Sequence, residues 1–382
     1  MSAGSAPARA PVGTPPTAST LAPRRWTREA SVDFFRGLGL WMIFIDHLDP
    51  NIWSHLSLWR VGFSDFAEIF VFLSGFINVG SWERAVSSGQ LAIVFKKLVR
   101  RISRLYVAHV VSLATSIAVL AFFAARGLRI NDPSMYTWMA APAQYGWRIL
   151  TLNYAPHLFS LLLLYLVIAP VLPLAIFGLK RAPIITLCFS GGLWCLSQFP
   201  WFQSWVVNLN WSFQPLAWQF LFVLGAAVRY FSDRLGPIAR SRWMIAAATA
   251  LVAGSAALKC FTLFPWTLHL LTPRLHAILM RDSGKSELEP YRLVHFLALL
   301  ALAHAFLLWR DGWLQSFVAR LASACGADSL FIYACSLVLV TSGNLILPGT
   351  HAGAVVQLLV SVSGVGAMCA LAWMRRPRTA GL

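Results

Sequence analysis

Charge is scarce in this chain, and acid is scarcest of all. Its 382 residues hold 14 Asp and Glu against 31 Lys and Arg, and charged residues make up only 12% of the whole. A soluble domain is normally about a quarter charged. With 58% of residues apolar and a mean hydropathy of +0.65, the chain cannot cover itself with a polar surface. That excludes an ordinary soluble fold and leaves most of it facing lipid. Long polar inserts are missing as well, so a single membrane domain is expected. Cys188, Cys195, Cys260, Cys325, Cys335 and Cys369 lie mostly within apolar runs and form no C-x-x-C pair. Neither a disulfide framework nor a metal site is expected from them. No inverted repeat of the kind that marks many transporters is visible. A cleavable signal peptide is not expected, because the first apolar run starts only near Val32 and is broken by charge.

What is present begins with positive charge. A formal net charge of +17 invites a nucleic-acid reading, yet Lys and Arg punctuate the apolar runs instead of gathering in one domain. Helical membrane proteins distribute their positives between spans in this way, so no nucleic-acid partner is expected. Ten apolar segments lie near 32–49, 61–80, 102–124, 157–179, 183–199, 214–231, 243–264, 291–308, 326–347 and 354–374. Each approaches the length that crosses about 30 Å of hydrocarbon. The expected fold is therefore all-α, a polytopic protein of about ten transmembrane helices. With the N-terminus inside, most Lys and Arg fall on the inner side, Arg84, Lys96, Lys97, Arg100, Arg101 and Arg104 among them. This bias sets both termini in the cytoplasm. Residues 1–28, rich in Ala, Pro, Ser and Thr, are expected to be a disordered tail. Residues 29–376 then form the membrane domain, and 377–382 a short cytoplasmic tail.

Ionisable residues inside a membrane helix cost roughly 2.5 to 3.5 kcal/mol each near its centre, which makes them functional suspects. The first span holds Asp33, Arg36, Asp46 and His47; the second holds Asp65 and Glu68. Arg36 and His47 are eleven residues apart, about 20° from a whole number of turns and roughly 16 Å along the axis. Both can line one cavity, Arg36 near the cytoplasm and His47 further outward. Asp65 or Glu68, entering from the outer side at a similar depth, could orient the imidazole as an acid does in a triad. The competing reading is an interhelical polar clamp, with Arg36 simply paired to Asp33 one turn away.

Asp33-x-x-Arg36-Gly37, followed ten residues later by His47, resembles the Arg-x10-His pattern of membrane acyltransferase family 3. Arg101-Ile-Ser-Arg104-Leu105-Tyr106 resembles the R-x-x-R-L-Y element of the same superfamily. More closely, the chain is similar to the OpgC family, known for succinylating osmoregulated periplasmic glucans. The matching stretches are DFFRGLGLWMIFIDHL, GFSDFAEIFVFLSGF, WSFQPLAWQFLFVLGA, KSELEPYRLVHFLALL and CGADSLFIYACS; they run from the first span to the ninth, so the resemblance covers nearly the whole membrane domain. Gln214 departs from the family pattern, where Asn precedes the Pro-Leu-Ala-Trp-Gln run.

The resemblance implies an acyl-CoA donor taken from the cytoplasm, a periplasmic glucan or other exported glycan as acceptor, and a bacterial inner membrane around the protein. A CoA phosphate group needs a basic mouth, which Lys97, Arg101 and Arg104 can provide; ordinary positive-inside charge is the plainer account of such residues. His47 would act as general base on a sugar hydroxyl that attacks the thioester. Arg36 would hold the donor, and Asp65 or Glu68, with Asp46 near by, would support the base. Trp218 and Gln219 lie in one family motif, and Lys285, Arg292 and His295 in another; together they become candidates for the acceptor side. An interfacial aromatic belt and a helix-end polar cluster remain the plainer readings of these two groups. Two further functions stay open: acetylation of another exported polysaccharide or lipid-linked sugar, and a glycan or lipid transporter or flippase whose buried charges form a path.

Overall fold

A computed structural model of the chain describes residues 27–127, 141–153, 156–202, 212–261, 284–306, 311–347 and 353–375, with residues 272 and 279. The expected disordered tail up to residue 26 and the C-terminal tail lie outside the described residues. Those described are helical, with no strand among them. The longer helices are α1 (Thr27–Asp46), α2 (Phe66–Ser87), α3 (Leu91–Ala124), α4 (Ser160–Ile168), α5 (Val171–Arg181), α6 (Pro183–Ser197), α7 (Pro215–Tyr230), α8 (Arg242–Phe261), α9 (Pro290–Phe306), α10 (Phe317–Ala327), α11 (Ser329–Ile346) and α12 (Ala354–Met374).

Each of the ten apolar segments carries a helix. By length and composition, the stretches that can cross a membrane singly are Leu91–Ala124, Arg242–Cys260, Ser329–Ile346 and Ala354–Met374. His157–Ile168 with Val171–Arg181 makes a fifth if that pair, bent by 47°, is one span. The bend departs from the straight span expected over 157–179. Its cause is local, since Pro170 at the start of α5 has no N–H to continue the ladder. Polarity is inverted relative to a soluble protein. Val107 and Val111 on α3, Ile184, Ile185 and Phe189 on α6, and Val355, Leu359 and Val362 on α12 are all exposed, as a lipid-facing surface requires.

Small residues set the closest crossings. A Cβ at Gly37 would overlap the carbonyl of Ala322, and one at Gly326 the carbonyl of Asp33, so α1 and α10 touch backbone to backbone. Gly75 and Gly225 do the same for α2 and α7, against the carbonyls of Phe222 and Phe72. Lipid gives helices no hydrophobic reason to associate, so close van der Waals approach at such residues is what holds them. α11 runs parallel to α1. Arg36 bonds Ser329 at one end; at the other, Asn344 donates to the His47 carbonyl at 2.9 Å and accepts from the Asp49 N–H at 3.0 Å. Leu40, Phe44, Phe72, Phe159, Leu162 and Phe222 fill the interior between these helices.

Candidate active site

The N-terminal half of α3 is amphipathic and basic, and it forms one side of an open cavity of about 690 Å³. Arg36, Lys96, Lys97, Arg100, Arg101 and Arg104 line it, with Asn78, Trp82, Tyr165, Ser329 and Tyr333, and no acidic side chain lines it. Arg101 Nη1 donates to Asn78 Oδ1 at 2.9 Å. Lys97 donates to the Ser81 carbonyl and lies 5.0 Å above the Trp82 ring. Arg36 bonds Ser329 and stands 3.6 Å from Asp33. With no carboxylate in its lining, the cavity is strongly positive. The buried Nε–H groups of Arg36 and Arg101 find no hydrogen-bond partner among the described residues. Two unmet guanidinium donors in one cavity suit an oxyanion bound between them.

His47 lies at the other end of α1, about 16 Å along the axis. Its Nδ1 is 2.7 Å from the Ile43 carbonyl. A carbonyl only accepts, so Nδ1 carries the proton, and Nε2 of the neutral ring is the basic nitrogen. Asp46 beside it accepts from Ser57 Oγ at 2.7 Å.

Two expectations are corrected here. The basic cavity is lined by Arg36 and not by His47, so the pair does not share one chamber. Phe70 stands at the end of the α2 lining furthest from Trp82. It packs against Tyr165 and Tyr333, close to Gly39 of α1. Nor do Asp65 and Glu68 orient the imidazole; its own helix does. Asp65 is the N-cap of α2. It accepts from Ala67 N–H at 2.7 Å, while Glu68 accepts from the Asp65 N–H at 3.0 Å. This is a capping box, and D-x-x-E ahead of an apolar run is its sequence signature.

The remaining carboxylate oxygens of this pair meet the second family motif. Lys285 Nζ is 2.7 Å from Asp65. Arg292 lies 2.6 Å from Glu68 and 3.5 Å from Asp65, with both Arg292 and Glu68 enclosed. His295, on the next turn of α9, takes the Ser64 hydroxyl at 2.7 Å on Nδ1. Sequence placed these residues in two separate groups with separate roles; in space they are one buttress joining α2, α9 and the 284–289 turn. Trp218 and Gln219 are corrected in the same way. Trp218 is fully buried, and its indole N–H donates to the carbonyls of Lys285 and Ser286. Gln219 is tied to Ser190 on α6 through both ends of its amide. Neither offers a face to a sugar; Trp218 holds the turn that carries Lys285, and Gln219 joins α7 to α6. Gln214, where the family pattern has Asn, caps α7 by accepting from Leu216 N–H at 2.6 Å. Among the described residues no three His, Cys, Asp or Glu gather as metal ligands. Sequence reading passed over Asn78, Tyr165, Ser329 and Tyr333, since single polar residues in apolar helices carry no pattern.

Apolar helices of membrane length around a cation-lined interior define an integral membrane protein. The sequence profile described as OpgC protein matches residues 28–379, and the chain therefore belongs to the OpgC family. That membership points to an acyltransferase related to osmoregulated periplasmic glucans. No curated protein and no solved structure matched the chain.

Proposed function

We propose that this protein is an inner-membrane O-acyltransferase of ten spans with both termini cytoplasmic. It moves an acyl group, succinyl first among the candidates, from cytoplasmic acyl-CoA to a hydroxyl of a periplasmic glucan. The observation that carries the reading is the cavity ringed by Arg36, Lys97, Arg101 and Arg104, because a CoA arm brings several phosphate charges and only such a site would accept them. The thioester travels outward past Phe70 to His47. Nε2 takes the proton of the sugar hydroxyl, whose oxygen attacks the thioester carbonyl. The carbon–sulfur bond then breaks, and CoA leaves as the thiol with the proton returned from the imidazolium. Asp65, Glu68, Lys285 and Arg292 act through position, holding the ends of α2 and α9.

The test is binding of succinyl-CoA and acetyl-CoA to the purified chain in detergent, with mass spectrometry of glucans from cells with and without it. Arg101→Ala should weaken thioester binding about tenfold, the worth of one charge-assisted hydrogen bond. A protein that binds neither thioester, and whose loss leaves the glucans unchanged, is no transferase. A transporter or flippase has no reason to bind CoA at all.

A further inference from the structure

A second cavity, of about 350 Å³, opens at the C-terminal end of α1. Its polar lining includes Asp46, Asp49, Asn51, His55, Trp59 and Arg60. His47 falls between two of the residues that form it, Asp46 and Leu48. The lining is well fixed. Asp46 is held by Ser57. Asn51 donates to the Ile45 carbonyl and to Ser361 of α12, and the backbone at Asp49 is pinned by Asn344 of α11. Arg60 donates to His55 Nε2 at 2.6 Å and stacks 4.3 Å over the Trp59 ring.

The chemistry of this lining selects its ligand by elimination. Two carboxylates repel the polyanion that suits the basic cavity. A guanidinium against the indole disfavours a bare cation. Hydroxyls fit both: neighbouring sugar hydroxyls donate to a carboxylate and accept from Arg, while the ring's C–H face lies on an aromatic. The volume is at the small end of ligand sites, enough for a short piece of a glycan. Trp218 and Gln219, expected on the acceptor side, are enclosed elsewhere.

We propose that this cavity is the acceptor subsite, taking a neutral, polyhydroxylated sugar unit against Trp59 with its hydroxyls on Asp46 and Asp49 and one of them presented to His47. The assignment rests on the acyltransferase reading, and its test is built to fail separately. Saturation-transfer NMR on the full-length protein in nanodiscs, with neutral glucose tetrasaccharides of different linkage as probes, reads sugar binding directly. Thioester binding is measured on the same samples. Asp49→Asn and Trp59→Ala should each weaken tetrasaccharide binding about tenfold and leave thioester affinity unchanged. Trp59→Phe, which keeps an aromatic face and the packing, should restore most of it. Variants that bind the tetrasaccharides as the wild type does, or a wild type that binds none of them, overturn the subsite. A wild type that binds sugar and no thioester overturns the transferase reading and leaves the sugar site standing.

Discussion

His47 shows how one backbone hydrogen bond assigns a role. Because Nδ1–H is spent on the Ile43 carbonyl, the basic lone pair is on Nε2 and the ring cannot turn without losing that bond. A general base of this kind contributes about 10²- to 10⁴-fold in rate. His47→Asn keeps an N–H donor for the carbonyl and lacks the base. It should insert and express as the wild type does and lose transfer by at least about two orders of magnitude; unchanged glucan substitution in the variant refutes the assignment. His55, in the turn beyond α1, provides a second check. Burial first, and the Arg60 charge second, hold its titration below the ordinary 6.5. It should therefore stay neutral and accept from Arg60 at neutral pH, and charge only in more acid solution. Histidine NMR signals assigned through His55→Gln would read this, and a titration above 6.5 means that the Arg60 contact is absent in solution.

The start of α2 carries an electrostatic load that belongs to the element and to no single residue. Asp65 and Glu68 cap the helix and at the same time neutralise Lys285 and Arg292. Removing one member of a buried pair leaves an uncompensated charge, at a cost of about 3 to 5 kcal/mol, whereas replacing both with apolar residues is often close to neutral. Glu68→Leu or Arg292→Leu alone should lower the melting temperature and the yield in membranes sharply. The double replacement should recover most of both. Thermal melts of the detergent-purified variants decide it, and a double variant as unstable as the singles rules out a clamp. The capping half of this arrangement was legible, as D-x-x-E before an apolar run. Its partners were not. They come from a motif more than two hundred residues further along the chain, and nothing local to either stretch says that they meet.

For the whole molecule, the proposed topology makes a plain prediction. α3 leads outward, so alkaline phosphatase fused after Leu150 should be active, and the same enzyme fused after Ser88 should be inactive. Activity in the reverse order would put the basic cavity on the wrong side for a cytoplasmic donor. The apolar segments were readable because hydrocarbon thickness fixes how long an apolar run must be; each carries a helix among the described residues, and four or five of the stretches are long and apolar enough to cross. The basic stretch Lys96–Arg104 was readable as charge, but its inclusion in a continuous 34-residue helix, Leu91–Ala124, was not, because its apolar face appears only when it packs on the others.

By itself the sequence determined that this chain is a helical membrane protein, which residues carry unusual charge, and which family it resembles. These follow from composition, from run length and from local pattern, all of which are properties of neighbouring residues. Only the tertiary structure decided that Arg36 lines the basic cavity and His47 does not, that Asp65 and Glu68 serve Lys285 and Arg292, and that Trp218 is a brace. The direction of a side chain inside a bundle depends on how helices cross, and here glycines far apart in the chain, Gly37 with Gly326 and Gly75 with Gly225, set those crossings.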